Sequence, residues 1–139
     1  MNDRSVYEFF KMNTSKVICI GEALVDRLGP CGGNAQEDGN YQDCLGGAPA
    51  NVACALARLG VNVGFIGCLG NDRIGEQFQK LFTARKINIA GLQTHSDLLS
   101  RIVLVDRDLS GERTFGGFIG DFGKGFADQF LDLNNLKKI

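Results

Sequence analysis

The sequence predicts an α/β domain in which a mostly parallel sheet is covered by helices, and three observations carry this prediction. Two short apolar runs, residues 16–21 and 61–67, end in glycine and have the composition of strands buried in a parallel sheet. Stretches with apolar residues at helical spacing follow them along the chain. The 19 glycines among 139 residues fall singly or in pairs between apolar segments, as tight turns require. Strands and helices in alternation form right-handed βαβ units.

Two helices are predicted with recognisable ends. The first covers residues 49–59, because Pro49 suits the first turn of a helix and Gly60 suits the position just past its end. The second begins after Asp72, whose carboxylate can accept hydrogen bonds from the first turn. Its apolar stripe consists of Ile74, Phe78, Leu81 and Phe82. Each helix can therefore bury one face against the sheet.

Turn-forming and polar residues predict where the segments before the first helix begin and end. Residues 1–15 are expected to be a polar arm, and the domain begins at residue 16. Residues 22–26 are expected to leave the first strand, and residues 29–40 to form a glycine-rich loop or flap. A short strand at residues 41–45 leads into a pair of glycines.

The second half of the chain predicts a hairpin and a weak helix. A strand at residues 102–105 precedes a turn at 106–112 and a returning arm at 113–118. From residue 124 the tail is weakly amphipathic. Two or three parallel strands make a poor sheet by themselves, because an exposed apolar edge invites aggregation. The pattern therefore resembles the first half of something larger.

Composition excludes several classes of function. Fifteen Lys and Arg against 16 Asp and Glu give a net charge of −1, which leaves no basic excess for nucleic acid. No apolar run is long enough to span a membrane, and residues 1–16 lack the apolar core of a secretion signal. The five cysteines form no CxxC pair, and His95 is the one histidine, so a zinc site is not expected. We expect a cytoplasmic protein with reduced thiols.

Several standard catalytic motifs are also missing. Gly123-Lys124 lacks the other positions of a P-loop, and the first strand is not followed by the GxGxxG of dinucleotide-binding folds. The tripeptide Asp121-Phe122-Gly123 has none of the companion motifs of protein kinases. A triad of His95, Ser96 and Asp97 is not expected, since sequence neighbours in a loop cannot orient one another as a triad requires.

A group of polar and small residues at the expected carboxyl ends of strands is the candidate binding site. Asp26 follows the first strand, and Gly46, Gly47 and Asn51 surround the start of the first helix. A carboxylate and an amide, beside glycines that let a ligand touch the backbone, suit a polyhydroxylated small molecule. The alternative is structural: the glycines only shape a turn, Asn51 caps the helix and Asp26 is solvated. Local chemistry alone leaves both interpretations open.

Four segments of the sequence resemble the ribokinase-like (PfkB) carbohydrate kinases. GGAPANVA at residues 46–53 and GCLGNDRIG at 67–75 are similar to the family's first motif region, with wording most like the fructokinase branch. VICIGEALVD at 17–26 resembles its first strand and sugar-binding aspartate, and GERTF at 111–115 its lid hairpin. The resemblance covers roughly residues 16–130. It implies that residues 16–139 are the N-terminal half of a three-layer ribokinase-like fold with a small β lid.

The resemblance implies roles for individual residues. Asp26, Gly46, Gly47 and Asn51 would hold the sugar hydroxyls. Phe115, on the lid hairpin, would pack against the apolar edge of the sugar, unless it is an ordinary core aromatic of the hairpin. The implied activity is phosphoryl transfer from ATP, with Mg²⁺, to a sugar hydroxyl, with fructose the expected acceptor and a nucleoside a further possibility.

One departure from the family limits these expectations. The GAGD motif that carries the family's catalytic aspartate does not occur in the 139 residues, and the implied ATP and Mg²⁺ site belongs to the same missing half. We therefore expect the chain alone to be inactive. A non-catalytic homologue that binds a sugar or a partner is the alternative. The partner would be a second copy meeting it through the lid, or a complementing C-terminal segment.

Overall fold

The computed structural model describes residues 15–34 and 39–138, so the predicted arm lies outside the described residues except for Ser15. This part of the chain contains two α-helices and seven strands, and the strands form two sheets. In order they are β1 (Val17–Ile20), β2 (Leu24–Cys31), β3 (Gln42–Gly46), α1 (Ala48–Arg58), β4 (Val63–Gly70), α2 (Arg73–Ala84), β5 (Asn88–His95), β6 (Ile102–Arg107) and β7 (Arg113–Ile119). Two 3₁₀ segments, Ala127–Gln129 and Leu133–Lys138, follow.

The first sheet, which we call the core sheet, is parallel with the order β1-β4-β5. One buried cluster joins this sheet to both helices, so within the described residues α1 and α2 pack on the same face. Phe65 of β4 meets Phe82 of α2 with ring centroids 4.8 Å apart, and Phe78 lies 5.5 Å from Phe82. The small residues Ala50 and Ala53 let α1 approach the sheet closely.

The helix ends follow the predicted capping chemistry. Past α1, Gly60 has a φ of 81°, and the amides of Gly60 and Val61 donate to the carbonyls of Ala57 and Leu56, which is a Schellman motif. At the start of α2, Asp72 accepts a hydrogen bond of 2.9 Å from the Gly75 amide. The end of α2 has the same motif as α1, but Lys86 occupies the left-handed position, with a φ of 58°.

The second sheet, which we call the lid sheet, has the order β3-β2-β6-β7. The β2–β6 pair is parallel and the two outer pairs are antiparallel. Because side chains alternate along a strand, the sheet has two distinct faces. We call the face that contains Asp26 the site face. The opposite face contains Val25, Leu45 and Ile102, which line a cavity shared with the first turns of α2.

The fold class is confirmed: this is an α/β structure with a parallel sheet and packed helices. The structure differs from the prediction in three places. Residues 24–26, predicted to leave the first strand, and residues 29–31, predicted to begin the glycine-rich loop, belong to β2, which pairs with β3 and β6. The strand β5 was not predicted. The tail contains 3₁₀ segments rather than an α-helix.

The first strand was expected to be buried, and the structure shows the opposite. Among the described residues β1 pairs with β4 alone, and Ile18 and Ile20 are 49% and 58% exposed. The reason is that the helices cover only the face that contains Cys19. All five cysteines are free, Cys19 and Cys68 are buried, and burial raises the pKa of the thiols of Cys19, Cys54 and Cys68. No helix in the described ranges is long and apolar enough to cross a membrane.

Candidate functional site

Asp26 lies at the centre of the candidate site, within β2 rather than in a loop after β1. It pairs with Cys44 of β3 on one side and with Val103 of β6 on the other. Its carboxylate rests against the α-carbon of Gly46, so close that a Cβ at residue 46 would overlap Oδ2. A side chain at position 46 would therefore push the Asp26 carboxylate out of this position. The structure brings these two predicted site residues into direct contact.

Gly47 turns the chain from the lid sheet into α1. Its φ of 96° is in the region that favours glycine, and a Cβ there would lie 2.7 Å from the carbonyl oxygen of Glu22. The Gly47 carbonyl accepts a hydrogen bond of 2.9 Å from the Asn51 amide, so Asn51 lies in the first turn of α1. The Asn51 residue is exposed. Asp26, Gly46 and Gly47 thus adjoin the start of α1, and Asn51 follows one turn later.

Two opposing effects act on the Asp26 carboxyl. Partial burial raises its pKa above the ordinary aspartate value, and the positive charge of Arg113, the first residue of β7, works against that rise. A partly desolvated carboxylate forms stronger hydrogen bonds to hydroxyl donors than one in bulk water. The arrangement is therefore suited to accepting hydrogen bonds from a neutral polyol. Sequence reasoning did not single out Arg113.

Two exposed aromatic rings stand on the site face of the lid sheet. Phe118 pairs with Val103, which pairs with Asp26, so Phe118 lies in the same row as Asp26, two strands or about 10 Å away. Phe115 lies in the next row, with Val105 and Leu28. The two rings meet edge to face with centroids 5.0 Å apart. Phe115 is 62% exposed and Phe118 is 47% exposed, so neither is a core residue of the hairpin.

A β-bulge decides which ring lies in the row of Asp26. The register shifts between Leu104 and Val105, so that Gly116 is an extra residue on β7. Sequence reasoning chose Phe115 and missed Phe118. The available signal was the Gly116-Gly117 pair, because glycine inside a strand often marks a bulge.

An ion pair beside the aromatic rings was also missed. The Arg101 guanidinium donates two hydrogen bonds to Asp128, from Nε at 2.7 Å and from an Nη at 2.8 Å. Arg101 Cζ lies 5.0 Å from the ring centroid of Phe118 and 4.8 Å from that of Phe126. The hydrogen bonds with Asp128 raise the pKa of Arg101, with burial acting against them. No local pattern connects residues that are 27 positions apart.

Other polar groups of the described chain do not add to this site. A cavity of about 610 Å³ lies beside β5, but the Gln93 side chain is bonded to the Asp132 backbone and Asn135 donates to the Asp132 carboxylate. His95 Nδ1 accepts from the Asp97 and Leu98 amides, so this histidine orients a turn. Across residues 15–34 and 39–138, no three His, Cys, Asp or Glu side chains gather in a way that could hold a metal ion.

Comparison with known proteins identifies relatives of known activity. The model of the pfkB family carbohydrate kinases matches residues 14–137. The fructokinase of Escherichia coli is 37% identical over 123 residues, which are 88% of this chain and 37% of the relative. The aminoimidazole riboside kinase of Salmonella typhimurium is 38% identical over 101 residues, which are 73% of this chain and 30% of the relative. The chain thus spans about a third of the length of these relatives.

Solved structures of fructokinases have the same fold. The apo fructokinase of Vibrio cholerae superposes with a TM-score of 0.71 at 36% identity, covering 88% of this chain and 39% of that one. Its form with fructose, ADP and calcium superposes with a TM-score of 0.65 at 34% identity, covering 87% and 36%. Because the family model and these relatives all match across most of the residues, the chain belongs to the pfkB family of carbohydrate kinases.

Proposed function

We propose that this chain supplies the acceptor-binding part of a sugar kinase, with fructose as the acceptor. The observation that carries the proposal is the contact between the Asp26 carboxylate and the α-carbon of Gly46, beside the start of α1. A carboxylate that is half-buried against bare backbone leaves its remaining lone pairs for a ligand. The fructokinase relatives of known activity support the choice of fructose.

Each residue of the site has a distinct part in holding the sugar. Asp26 accepts hydrogen bonds from two neighbouring hydroxyls, Gly46 leaves room for its carboxylate beside the backbone, and Gly47 makes the turn that brings the start of α1 next to it. The side-chain amide of Asn51 can both donate and accept hydrogen bonds. Phe118 and Phe115 cover the apolar edge of the ring and exclude water from it. Holding the sugar in one orientation lowers the entropy cost of a later phosphoryl transfer.

The nucleotide and metal do not fit the residues present. Relatives have been solved with ATP, or with ADP and calcium, yet the described ranges gather no metal-binding cluster and the sequence has no GAGD motif. In our proposal the contribution of these residues therefore ends at holding and orienting the sugar. ATP and Mg²⁺ would supply the phosphoryl group and charge neutralisation in the complete kinase. We expect no sugar-dependent ADP release from the purified chain, and a release abolished by Asp26→Ala would contradict this.

Calorimetric titration with D-fructose tests the binding function. We expect Asp26→Asn to weaken binding by at least about tenfold, because one charged acceptor of the hydroxyls is lost. Asp43→Asn is the matched control, since Asp43 lies on the neighbouring strand but on the opposite face of the lid sheet. Equal affinities for the wild type and Asp26→Asn would contradict the proposed site.

A riboside is the second candidate acceptor. The match to the aminoimidazole riboside kinase of Salmonella typhimurium, 38% identical over 73% of this chain, favours it, while the fructokinase of Escherichia coli matches a larger share of the chain, 88%. The same titration with aminoimidazole riboside separates the two acceptors. Tighter binding of the riboside, still dependent on Asp26, would keep the site and change the substrate.

A partner-binding role is the second candidate function. Within the described residues β1 pairs with β4 alone, so this edge of the core sheet is unpaired and a strand of a partner would extend it. Gel filtration with light scattering tests this role in the absence of sugar. A monomer that binds fructose favours the sugar-binding role, and a stable oligomer that ignores fructose favours the partner-binding role.

A further inference from the structure

Arg101 lies where the chain passes from the core sheet to the lid sheet. Ser100, immediately before it, is buried, and its amide and hydroxyl donate to the Asp72 carboxylate at 2.7 and 2.9 Å. The Ser100 hydroxyl also accepts from the Gly70 amide at the end of β4. The backbone immediately before Arg101 is therefore fixed to the core.

The other contacts of Arg101 are with the lid sheet and the aromatic rings. Its carbonyl accepts a hydrogen bond of 3.0 Å from the amide of Val25, the residue next to Asp26. Its guanidinium faces the rings of Phe118 and Phe126, which lie 5.8 Å apart at an angle of 63°. Arg101 thus contacts both the strand that carries Asp26 and the ring that shares its row.

Asp128 holds the guanidinium in place. Its side chain is only 7% exposed, and the 3₁₀ segment Ala127–Gln129 is tied to the core through the hydrogen bond from the Ala127 amide to the Leu99 carbonyl, 3.0 Å long. A guanidinium group that donates two hydrogen bonds from its edge to a carboxylate keeps its flat faces available to stack on aromatic rings. Lysine can keep the charge at this position but not that combined geometry.

We propose that Arg101 is a positioning residue that sets sugar affinity by holding the Phe118 ring in place on the site face, in the same row as Asp26. This inference rests on the proposed function, because it assigns a role at the same site. The Phe118 ring is only half-buried and stands on a strand next to a bulge, so its own strand fixes it weakly. The stack against Arg101 and Phe126 supplies the missing restraint.

The chain contains a matched control for this pair. Arg27 makes the same two-pronged contact with Asp43, at 2.8 and 2.9 Å, and its Cζ lies 3.8 Å from the ring centroid of Tyr41. Both arginines belong to the lid sheet region, but Arg27 lies on the face opposite Asp26. Arg27→Lys therefore removes the same kind of interaction without touching the site face.

Fructose titration and amide hydrogen exchange of the complete chain test the proposal. We expect Arg101→Lys to weaken fructose binding about three- to tenfold and to speed exchange in residues 113–119, while Arg27→Lys leaves both unchanged. Asp128→Asn, which keeps a hydrogen-bonding group, is the second variant if Arg101→Lys does not fold, with a smaller effect in the same direction. Unchanged affinity in folded Arg101→Lys, or equal losses in both lysine variants, would overturn the proposal.

Failure of the proposed function gives a different pattern of results. If the wild type binds no sugar, the proposed function fails, and exchange in the sugar-free chain still decides whether Arg101 fixes Phe118. Faster exchange at residues 113–119 in Arg101→Lys, but not in Arg27→Lys, would then keep the positioning role. Identical exchange in the two variants would overturn that role as well.

Discussion

The core sheet and the lid sheet are stabilised by different kinds of contact. The core sheet and its helices share one cluster of fully buried side chains, including Phe65, Phe78 and Phe82. The lid sheet has few such residues, and its two faces carry charged pairs stacked on aromatic rings, Arg27 with Tyr41 and Arg101 with Phe118. Apolar burial contributes more to stability than ion pairs do, because the desolvation of a buried pair offsets its attraction and a surface pair is screened. The core therefore provides the stability, and in our proposal the lid carries the groups that meet the sugar.

Truncating one aromatic ring in each region tests this division with the largest expected effect. We expect Phe82→Ala to lower the free energy of unfolding by about 3–5 kcal/mol, because a fully buried ring leaves a cavity. Phe115→Ala, at an exposed lid ring, should cost about 0.5 kcal/mol or less. Urea unfolding followed by circular dichroism measures both. Similar losses in the two variants would contradict the division.

The junction between the regions gives the next largest effect. Asp72 accepts hydrogen bonds from Gly75 in the core helix and from Ser100 before the lid strand. We expect Asp72→Ala to cost about 1–3 kcal/mol, since it removes the helix cap and leaves buried donors without an acceptor. Asp72→Asn keeps one acceptor oxygen and should cost clearly less. Thermal unfolding of both variants at neutral pH is the measurement, and equal losses would count against the role of the shared acceptor.

We expect replacement of Asp26 to raise the stability of the folded chain, whereas replacement of Asp72 lowers it. Burial raises its pKa in the folded chain, so the folded state binds the proton more tightly and carries a penalty for the charged form at neutral pH. Asp26→Asn should therefore be more stable than the wild type at pH 7, by less than the losses above. The difference should shrink as the pH falls from neutral through the raised pKa of the folded chain, and should vanish below the ordinary aspartate pKa of about 3.9. A variant less stable than the wild type at pH 7 would show that Asp26 is structural.

The smallest expected effect is at the end of α2, where a lysine occupies a backbone position that favours glycine. Lys86 has a φ of 58° at the end of α2, where α1 has Gly60 in the equivalent position. We expect Lys86→Gly to stabilise the chain by about 0.5 kcal/mol, because the relief of backbone strain slightly exceeds the entropy that glycine adds to the unfolded state. Chemical denaturation detects the shift in midpoint. Gly60→Lys is the converse control and should destabilise the chain.

The elements that could be predicted from the sequence are those with local rules. The helices α1 and α2 follow from periodicity and from capping by Pro49, Gly60 and Asp72. The strand β2 could not be predicted in this way, because Asp26, Arg27, Gly29 and Pro30 interrupt any apolar pattern. A strand of the lid sheet tolerates such residues because both of its faces are only partly buried at Asp26 and Arg27.

The candidate site was predictable only in part, for the same reason. Asp26, Gly46, Gly47 and Asn51 stand in short motifs, and the resemblance to a known family points to them directly. Phe118 and Arg101 depend on a bulge and on a contact across 27 residues, and both are products of tertiary structure. Local sequence carries no information on either, beyond the pair of glycines in β7.

Amide hydrogen exchange with and without D-fructose tests the central claim most directly. We predict that fructose slows exchange in β2, β3, β7 and the first turn of α1, while β4 and α2 stay as protected as in the free chain. The same experiment on Asp26→Asn should show no effect of fructose. Protection confined to β4 and α2, or protection of the lid sheet that survives in Asp26→Asn, would contradict the division between a stable core and a sugar-binding lid.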